Sequence, residues 1–438
     1  MHGRTALLDC GPMLARPDPS RARSRSSERL PLRPWLLLFA AALAVRAATV
    51  LFAATGASEG LDTPDWLPLA VNLSHGAGFM VGTPTGLVPT AAVPPIAPWV
   101  ASGVLKFSGA NPLALALVFA GLGALIPLIV ASLGMAVFGA NVGRWAGWIC
   151  ALDPRLILTP FTTDSLSPLL VALAALCTAS WVKTPRPGRA LGVGLLWGIA
   201  ALTHPAALVL PLGVVAWAWV PLGLTVVPSD RMRQTLLVLA GVALVVAPWT
   251  LRNATAMRAF VPVSTGNGLA LLAANSHRAW TDDTLHGAPI PRTALAADHP
   301  EIVSGDAARA DRVARDLALE HALAHPGESL RVLAPRTFAF AVAPLPLDWR
   351  VASASIVLLP FVAWGAVRTL TGPRRLFQSF AVLAIGWFLL RGLLYGATAG
   401  MRIPIEPLVA LLAGVGVDDV RLRLRAHTHG FAVIEGRR

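Results

Sequence analysis

Apolar runs of about eighteen or more residues recur along the whole 438-residue chain, and a run of that length crosses the hydrocarbon core of a bilayer as a helix. No other feature narrows the fold so far. Inside hydrocarbon each backbone N–H and C=O must find its partner within the segment, so a series of such runs means a series of helices. Only 13% of the residues are charged while 55% are hydrophobic, against roughly 25% charged in soluble proteins. The fold class read from the sequence is therefore an all-α polytopic membrane protein.

The spans fall at about 34–55, 112–138, 143–161, 165–182, 190–204, 206–225, 233–249, 351–368, 377–397 and 403–419, which makes about ten transmembrane helices. Arginine orients them. The turns holding Arg144, then Lys183/Arg186/Arg189, then Arg231/Arg233, then Arg368/Arg374/Arg375 alternate with turns poor in cations. By the preference of cationic loops for the cytoplasm, this pattern implies a multi-pass protein of the cell inner (plasma) membrane with both termini cytoplasmic. The same placement explains the net charge of +13 as topology, so no nucleic acid partner is expected. Residues 1–33, rich in Arg, Ser and Pro, form a disordered cytoplasmic tail in this reading. Residues 34–419 form the transmembrane domain and 420–438 a cytoplasmic C-terminal tail. The three cysteines offer no disulfide framework: Cys10 lies in the tail, and Cys150 and Cys177 lie within apolar runs.

Two segments on the outer side are too long to be simple connectors. The first, about 56–111, holds an acidic motif and then a short apolar stretch from Ile96 to Phe107, which fits a helix lying in the membrane interface. The second, about 250–350, carries ten arginines, ten acidic residues and five of the ten histidines. Within it helices are expected from Asp306 to His325 and from Glu328 to Val342, either side of Pro326-Gly327. No internal repeat stands out, so an inverted-repeat transporter gains no direct support.

The acidic motif is Leu61-Asp62-Thr63-Pro64-Asp65-Trp66. Thr63 as N-cap, Pro64 at the first position and Asp65 in the first turn make an ordinary helix start. Equally, a carboxylate beside a membrane can act as general base on an acceptor hydroxyl. Asp164, at the head of a span, reads as a cap or as a functional acid at membrane depth. His204, in Thr203-His204-Pro205, reads as a structural turn residue or a site residue. Arg252 and Asn253 open the large outer segment, and Arg402 and Glu406 mark the outer end of the last span. Guanidinium groups at this depth suit a phosphate and also suit lipid headgroups. Arg46 and Arg391, within spans, are read as structural. The His277/Asp282/Asp283/His286 group matches no metal-ligand spacing and is read as a solvated loop, so no metal is assigned and a divalent cation stays only a candidate cofactor.

In order, these motifs resemble those of the bacterial GT-C glycosyltransferases, relatives of protein O-mannosyltransferase and of the aminoarabinose transferase of lipid A. The resemblance rests on Asp62 to Leu73 with Gly76-Ala77-Gly78-Phe79, and on Thr90 to Pro98, Thr163-Asp164, Ala201 to Leu208 and Ala247 to Asn253. Phe260 to Thr265 with Asn275, Ala322 to Leu330 and Arg402 to Leu412 complete it, so that it covers about residues 35–415. It implies transfer of a sugar, with inversion, from a polyprenyl-phosphate-linked donor to a lipid, glycan or protein acceptor. It also implies that Asp62 is the base and that Asp65 and Asp164 are supporting acids. Arg252 and Arg402 become candidates for the lipid phosphate, with His204, Asn253 and Glu406 around the substrate. Three positions depart from the family pattern: Trp66 stands where Tyr is usual, Asp164 where Glu is usual, and His204 where Arg is usual. A transporter or lipid-linked sugar flippase, and a catalytically silent GT-C-like assembly partner, are the competing readings. Acids gathered on one side of the membrane, rather than along a path through it, favour the enzyme.

Overall fold

The structure, a computed structural model, describes residues 32–55, 64–83, 86–109, 111–159, 164–219, 228–285, 287–303, 306–343, 349–372 and 375–435. Nearly all of the expected N-terminal tail, and Asp62, Thr63, Thr163 and His286, lie outside the described residues. Helix α1 (Leu32–Ala54) begins in a small unit, Met1–Leu37, and continues into the main unit, Leu38–Arg438. The main unit then runs through α2 (Leu67–Ser74), a hairpin of β1 (Met80–Thr83) and β2 (Gly86–Pro89), α3 (Ile96–Ser108), α4 (Pro112–Gly123), α5 (Ile126–Val137), α6 (Ala140–Leu152) and α7 (Pro154–Ile157). There follow α8 (Ser167–Lys183), α9 (Pro187–Ala201), a 3-10 turn (Pro205–Val209), α10 (Leu210–Trp219) and α11 (Pro228–Met257). The large outer segment holds α12 (Asn267–Ala274), α13 (His277–Thr281), α14 (Arg292–Asp298), α15 (Ala307–Ala324), α16 (Pro326–Arg331) and α17 (Leu333–Ala341). Helices α18 (Trp349–Thr371), α19 (Arg375–Tyr395), α20 (Ala399–Arg402) and α21 (Glu406–Glu435) complete the chain.

A helix stands at each of the ten expected span positions. Among the described residues four are long and apolar enough to cross a membrane: Leu32–Ala54, Pro112–Val137 (α4 and α5 together), Asp230–Met257 and Trp349–Thr371. Two of the expected spans are cut short where a proline restarts the helix. Asp153-Pro154 ends α6 at 13 residues, with the Asp153 carboxylate accepting from the Arg155 N–H at 2.8 Å to cap α7. Likewise His204-Pro205 ends α9 at 15 residues and opens the 3-10 turn.

Small residues let the spans cross closely, as is usual where lipid supplies no hydrophobic drive between helices. A Cβ on Gly194 of α9 would strike the Val238 carbonyl of α11, and one on Gly241 of α11 would come within 2.6 Å of the Leu191 carbonyl. Helices α18 and α21 meet the same way, Gly365 against the Leu412 carbonyl and Gly416 against that of Phe361. Backbone cannot give way as a side-chain tip can. Gly365→Val should therefore destabilise the fold by about 1–3 kcal/mol, the usual range for overpacking. A fall in the thermal-aggregation midpoint in detergent would report it, and Gly188→Val, where nothing lies within 4 Å, should leave the midpoint unchanged.

One local expectation is corrected, and two further features appear. Helix α2 starts at Leu67, not at Pro64: the Leu67 N–H closes a turn onto the Pro64 carbonyl at 2.8 Å, and Asp65 sits exposed in that turn. A two-stranded hairpin, pairing Met80 with Pro89 and Thr83 with Gly86, occupies part of the first outer segment. Its entry and return use Gly78 at φ +82° and Gly86 at φ +121°, conformations that L residues avoid. The last helix does not end near 419 but runs to Glu435. Asp418 meets Arg421 at 3.3 Å and Asp419 meets Arg423 at 2.7 Å, the three- and four-residue spacings that sustain an exposed helix. The apolar stretch after Pro95 is helical as expected (α3), and Phe107 near its end is 91% exposed.

Candidate active site

Aromatic packing seats the acidic loop. Trp66, immediately after Asp65, is buried and stacks on Phe119 of α4 with ring centroids 5.5 Å apart. Leu166, two residues after Asp164, belongs to the same apolar cluster. Trp66 and the Asp164 turn are thus neighbours although about a hundred residues separate them in the sequence. A second cluster ties Leu69 of α2 to Phe79, Ala201, Leu202, Trp249 and Val263. The Ile96 N–H donates to the Leu202 carbonyl at 3.3 Å, which brings the first outer segment onto the turn carrying His204.

His204 itself is buried at the start of the 3-10 turn. Its Nδ1 accepts from the Ala206 N–H at 3.3 Å, which leaves the ring proton on Nε2. That nitrogen faces Asp164 Oδ1 at 3.7 Å. Helix α19 packs over the pair: Phe388 lies 5.5 Å from the His204 ring, and Trp387 Nε1 donates to the Ala206 carbonyl at 3.0 Å. One turn further along α19, Arg391 is close enough for its charge to act on both Asp164 and His204. Arg391 Nη2 donates to Asn267 Oδ1 at 3.3 Å, and the guanidinium lies 4.8 Å from the centroid of Tyr395, the chain's single tyrosine. Its Nε is buried with no hydrogen-bond partner among the described residues. Gly400 borders the acid from α20, where a Cβ would come within 3.1 Å of Asp164 Oδ2. Asn267 and Tyr395 also line a cavity of about 370 Å³, together with Phe260, Asp311, Arg312 and Arg315.

The remaining expected site residues are held by backbone groups or by one another. Arg252 donates to the carbonyls of Thr90 at 2.6 Å and Phe79 at 2.7 Å, with its guanidinium over the Phe79 and Trp249 rings. Asn253, fully buried, donates to the Val261 carbonyl at 3.0 Å. Arg252 therefore fastens the first outer segment to the end of α11, and Asn253 fastens the stretch that follows that helix. Arg402 donates to the Phe340 and Ala341 carbonyls at 3.1 and 2.5 Å, and its Nε lies 2.7 Å from Glu406 Oε1. Arg155 shares that carboxylate at 3.4 Å. It also donates to Ser355 Oγ at 2.6 Å and to the Val342 carbonyl. All three charged side chains are buried. The result is one carboxylate between two guanidinium groups, joining α7, α17, α18, α20 and α21.

The described residues thus bring Asp164 and His204 together, and Arg402 with Glu406, while Arg252 and Asn253 serve the loop. Three arginines stand out more in the structure than in the sequence. Arg391 was assigned a structural role although an intramembrane arginine is a functional candidate in its own right, and Arg155 was hidden beside Asp153-Pro154, which read only as a bend. Arg336, also not singled out, is buried and donates to the Gly287 carbonyl at 2.9 Å, the Leu393 carbonyl at 2.6 Å, Asn275 Oδ1 at 3.2 Å and the Ala274 carbonyl.

Residues 92–251 match the family described as dolichyl-phosphate-mannose-protein mannosyltransferase. Among solved structures, the oligosaccharyltransferase AglB of Archaeoglobus fulgidus is similar. Its apo form gives a TM-score of 0.55 over 90% of this chain and 52% of that one at 16% identity. Its complex with an inhibitory peptide and a dolichol-phosphate gives 0.51 over 83% and 47% at 13% identity. This chain spans about half the length of those structures. ArnT of Cupriavidus metallidurans bound to undecaprenyl phosphate overlaps 87% of this chain and 77% of its own at 18% identity, more loosely at a TM-score of 0.40. No curated protein matches the sequence significantly. Residues 92–251 thus resemble a mannosyltransferase family, and the chain as a whole shares the helical membrane fold of AglB.

Proposed function

We propose that this protein transfers a sugar from a polyprenyl-phosphate donor to an acceptor hydroxyl at the outer face of the inner membrane, with inversion at the anomeric carbon. The observation that carries the reading is the grouping of Asp164, His204 and the incompletely paired cation Arg391 at a junction of helix ends. A lipid-phosphate leaving group stays in the bilayer, so its charge must be met at membrane depth. Arg391 meets it through the free Nε–H, and Arg252, at the mouth of the large outer segment, lends a second positive charge. Asp62, outside the described residues, takes the acceptor proton as general base. Asp65, exposed in the same loop, and Asp164 support it, while His204 keeps Asp164 in place through the Nε2–H that faces it. Arg402 and Glu406 act at one remove, by fixing the chain that carries Gly400 against Asp164. The cavity beside Asn267 and Tyr395 holds the acceptor, whether lipid, glycan or protein.

One AglB structure is titled as a complex with zinc and sulfate.

The test is transfer itself. Membranes containing the protein, incubated with a set of radiolabelled polyprenyl-phosphate sugars, should move label into an acceptor fraction. Donor crossing the membrane without transfer would replace the proposal by a flippase, and neither event by a silent assembly partner. Within the enzyme reading, Arg391→Ala should lower the transfer rate by about 10²–10³, the usual loss when one stabilising donor is removed from developing charge. Arg391→Lys should recover part of it, because a point charge remains.

A further inference from the structure

The geometry points to a metal site in the large outer segment, with His277, His321 and Glu328 binding one zinc-like transition-metal ion that staples α13, α15 and α16 together. Each of the three offers one ligand atom, and these atoms all lie within 4.8 Å of one another. Tetrahedral zinc with bonds of about 2.0–2.2 Å sets its ligand atoms roughly 3.3–3.5 Å apart, so small side-chain rotations close the set. Two histidines and a glutamate are a zinc-type ligand set, with a fourth position left for water. Imidazole nitrogen selects zinc, nickel, cobalt or copper over magnesium and calcium, which prefer oxygen alone.

A second observation comes from the same side chains. His321 Nε2 and Glu328 Oε2 are both buried, and neither has a hydrogen-bond partner among the described residues. Leaving such an atom unpaired costs about 1–3 kcal/mol, and here two of them converge on one point. An ion between them answers both.

The fold explains how the ligands meet. His321 lies in the last turn of α15 and Glu328 in the first turn of α16. In one unbroken helix seven residues would put about 10 Å between them along the axis. The helix breaks at His325, whose backbone leaves the helical range at φ −125°, ψ 62°, and Pro326 starts the next helix. The break brings the carboxylate back to the imidazole. The His321 ring is wedged between Trp280, 4.6 Å away, and His325, 4.5 Å away. Trp280 is fixed in turn by its Nε1 donating to the Ala274 carbonyl at 3.1 Å. His277 opens α13 one helical turn before Trp280, which sets its ring 6.3 Å from that of His321.

This set differs from the one that nearness in sequence suggests. Asp282 accepts from both the N–H and the hydroxyl of Thr284, at 3.0 and 2.5 Å. Asp283 is exposed and pairs with Arg331 at 3.2 Å. Only His277 is common to the two groups.

The test uses full-length protein purified in detergent, stripped with chelator and titrated with zinc, with bound metal counted by mass spectrometry and cobalt absorption as a second readout. One equivalent per chain is expected, together with a thermal midpoint that rises on adding zinc. Glu328→Gln and His321→Ala should each weaken binding at least about tenfold and abolish the zinc-dependent rise. Glu328→Gln keeps the size of the side chain, so loss of binding in a variant that still elutes as the wild type does is not a folding failure. Asp282→Asn/Asp283→Asn and Asp164→Asn should each keep the equivalent. No bound zinc in the wild type, or an equivalent retained by both Glu328→Gln and His321→Ala, overturns the site. So does loss of the equivalent in Asp164→Asn alone.

Discussion

Asp62→Asn protein should reach the membrane at the wild-type level and transfer sugar about 10²–10⁴ times more slowly, the range that general-base catalysis contributes. The amide keeps the size and hydrogen-bonding reach of the carboxylate but cannot accept the acceptor's proton. The residues that follow it are positioned independently of that side chain, by Trp66 against Phe119 and by the turn from Pro64 to Leu67, so the variant should fold. The same substitution at Asp65, exposed in the turn, should have the smaller effect. Labelled-donor transfer in isolated membranes, normalised to protein by immunoblot, separates the two. Near-normal transfer by Asp62→Asn would remove Asp62 from the mechanism and leave Asp164 as the remaining acid to test.

Glu406→Gln should be the most damaging single change to the fold. Its carboxylate is fully buried, 2.7 Å from Arg402 Nε and 3.4 Å from Arg155 Nε. The amide would remove the counter-charge that the two buried guanidinium groups share. Removing one partner from a buried ion pair typically costs about 3–5 kcal/mol, a large fraction of the stability of a domain. The expected result is a collapsed monodisperse peak in size-exclusion chromatography and a large fall in membrane yield. Adding Arg155→Met should restore part of the yield by removing one of the stranded charges. If the double variant is worse than Glu406→Gln alone, the damage lies in packing and not in charge.

The sequence carried the membrane architecture because hydrophobic length is a local property, and a helix stands wherever a long apolar run was expected. Span lengths were less legible, since Pro154 and Pro205 restart helices inside runs that hydropathy reads as continuous. The site divides in the same way. Asp164 and His204 were identifiable by residue type at membrane depth, but their pairing depends on α8 and α9 meeting in space. Arg252, Asn253 and Arg402 look in sequence like cations and amides waiting for a phosphate. The structure gives each of them backbone carbonyls, a use that leaves no pattern in the residues themselves. Arg391 is the reverse case: it reads as structural in an apolar run, and its Nε has no hydrogen-bond partner among the described residues. The histidines and acids near one another in sequence read as a solvated loop, whereas a helix break at His325 helps bring His321 and Glu328 to His277.

Helix α19 makes contact at several levels along its length. Trp387 and Phe388 touch the His204 turn, Arg391 reaches Asn267, and the Leu393 and Leu394 carbonyls accept from Arg336 and Asn275. The outer segment therefore grips this rod by its carbonyl end, while the cation rides lower on the same rod beside Asp164. A rigid helix transmits rotation about its axis, so a tilt of the outer segment as an acceptor enters its cavity would swing the guanidinium relative to the acid. Acceptor arrival and donor-phosphate neutralisation would then be geared to each other through a single shaft.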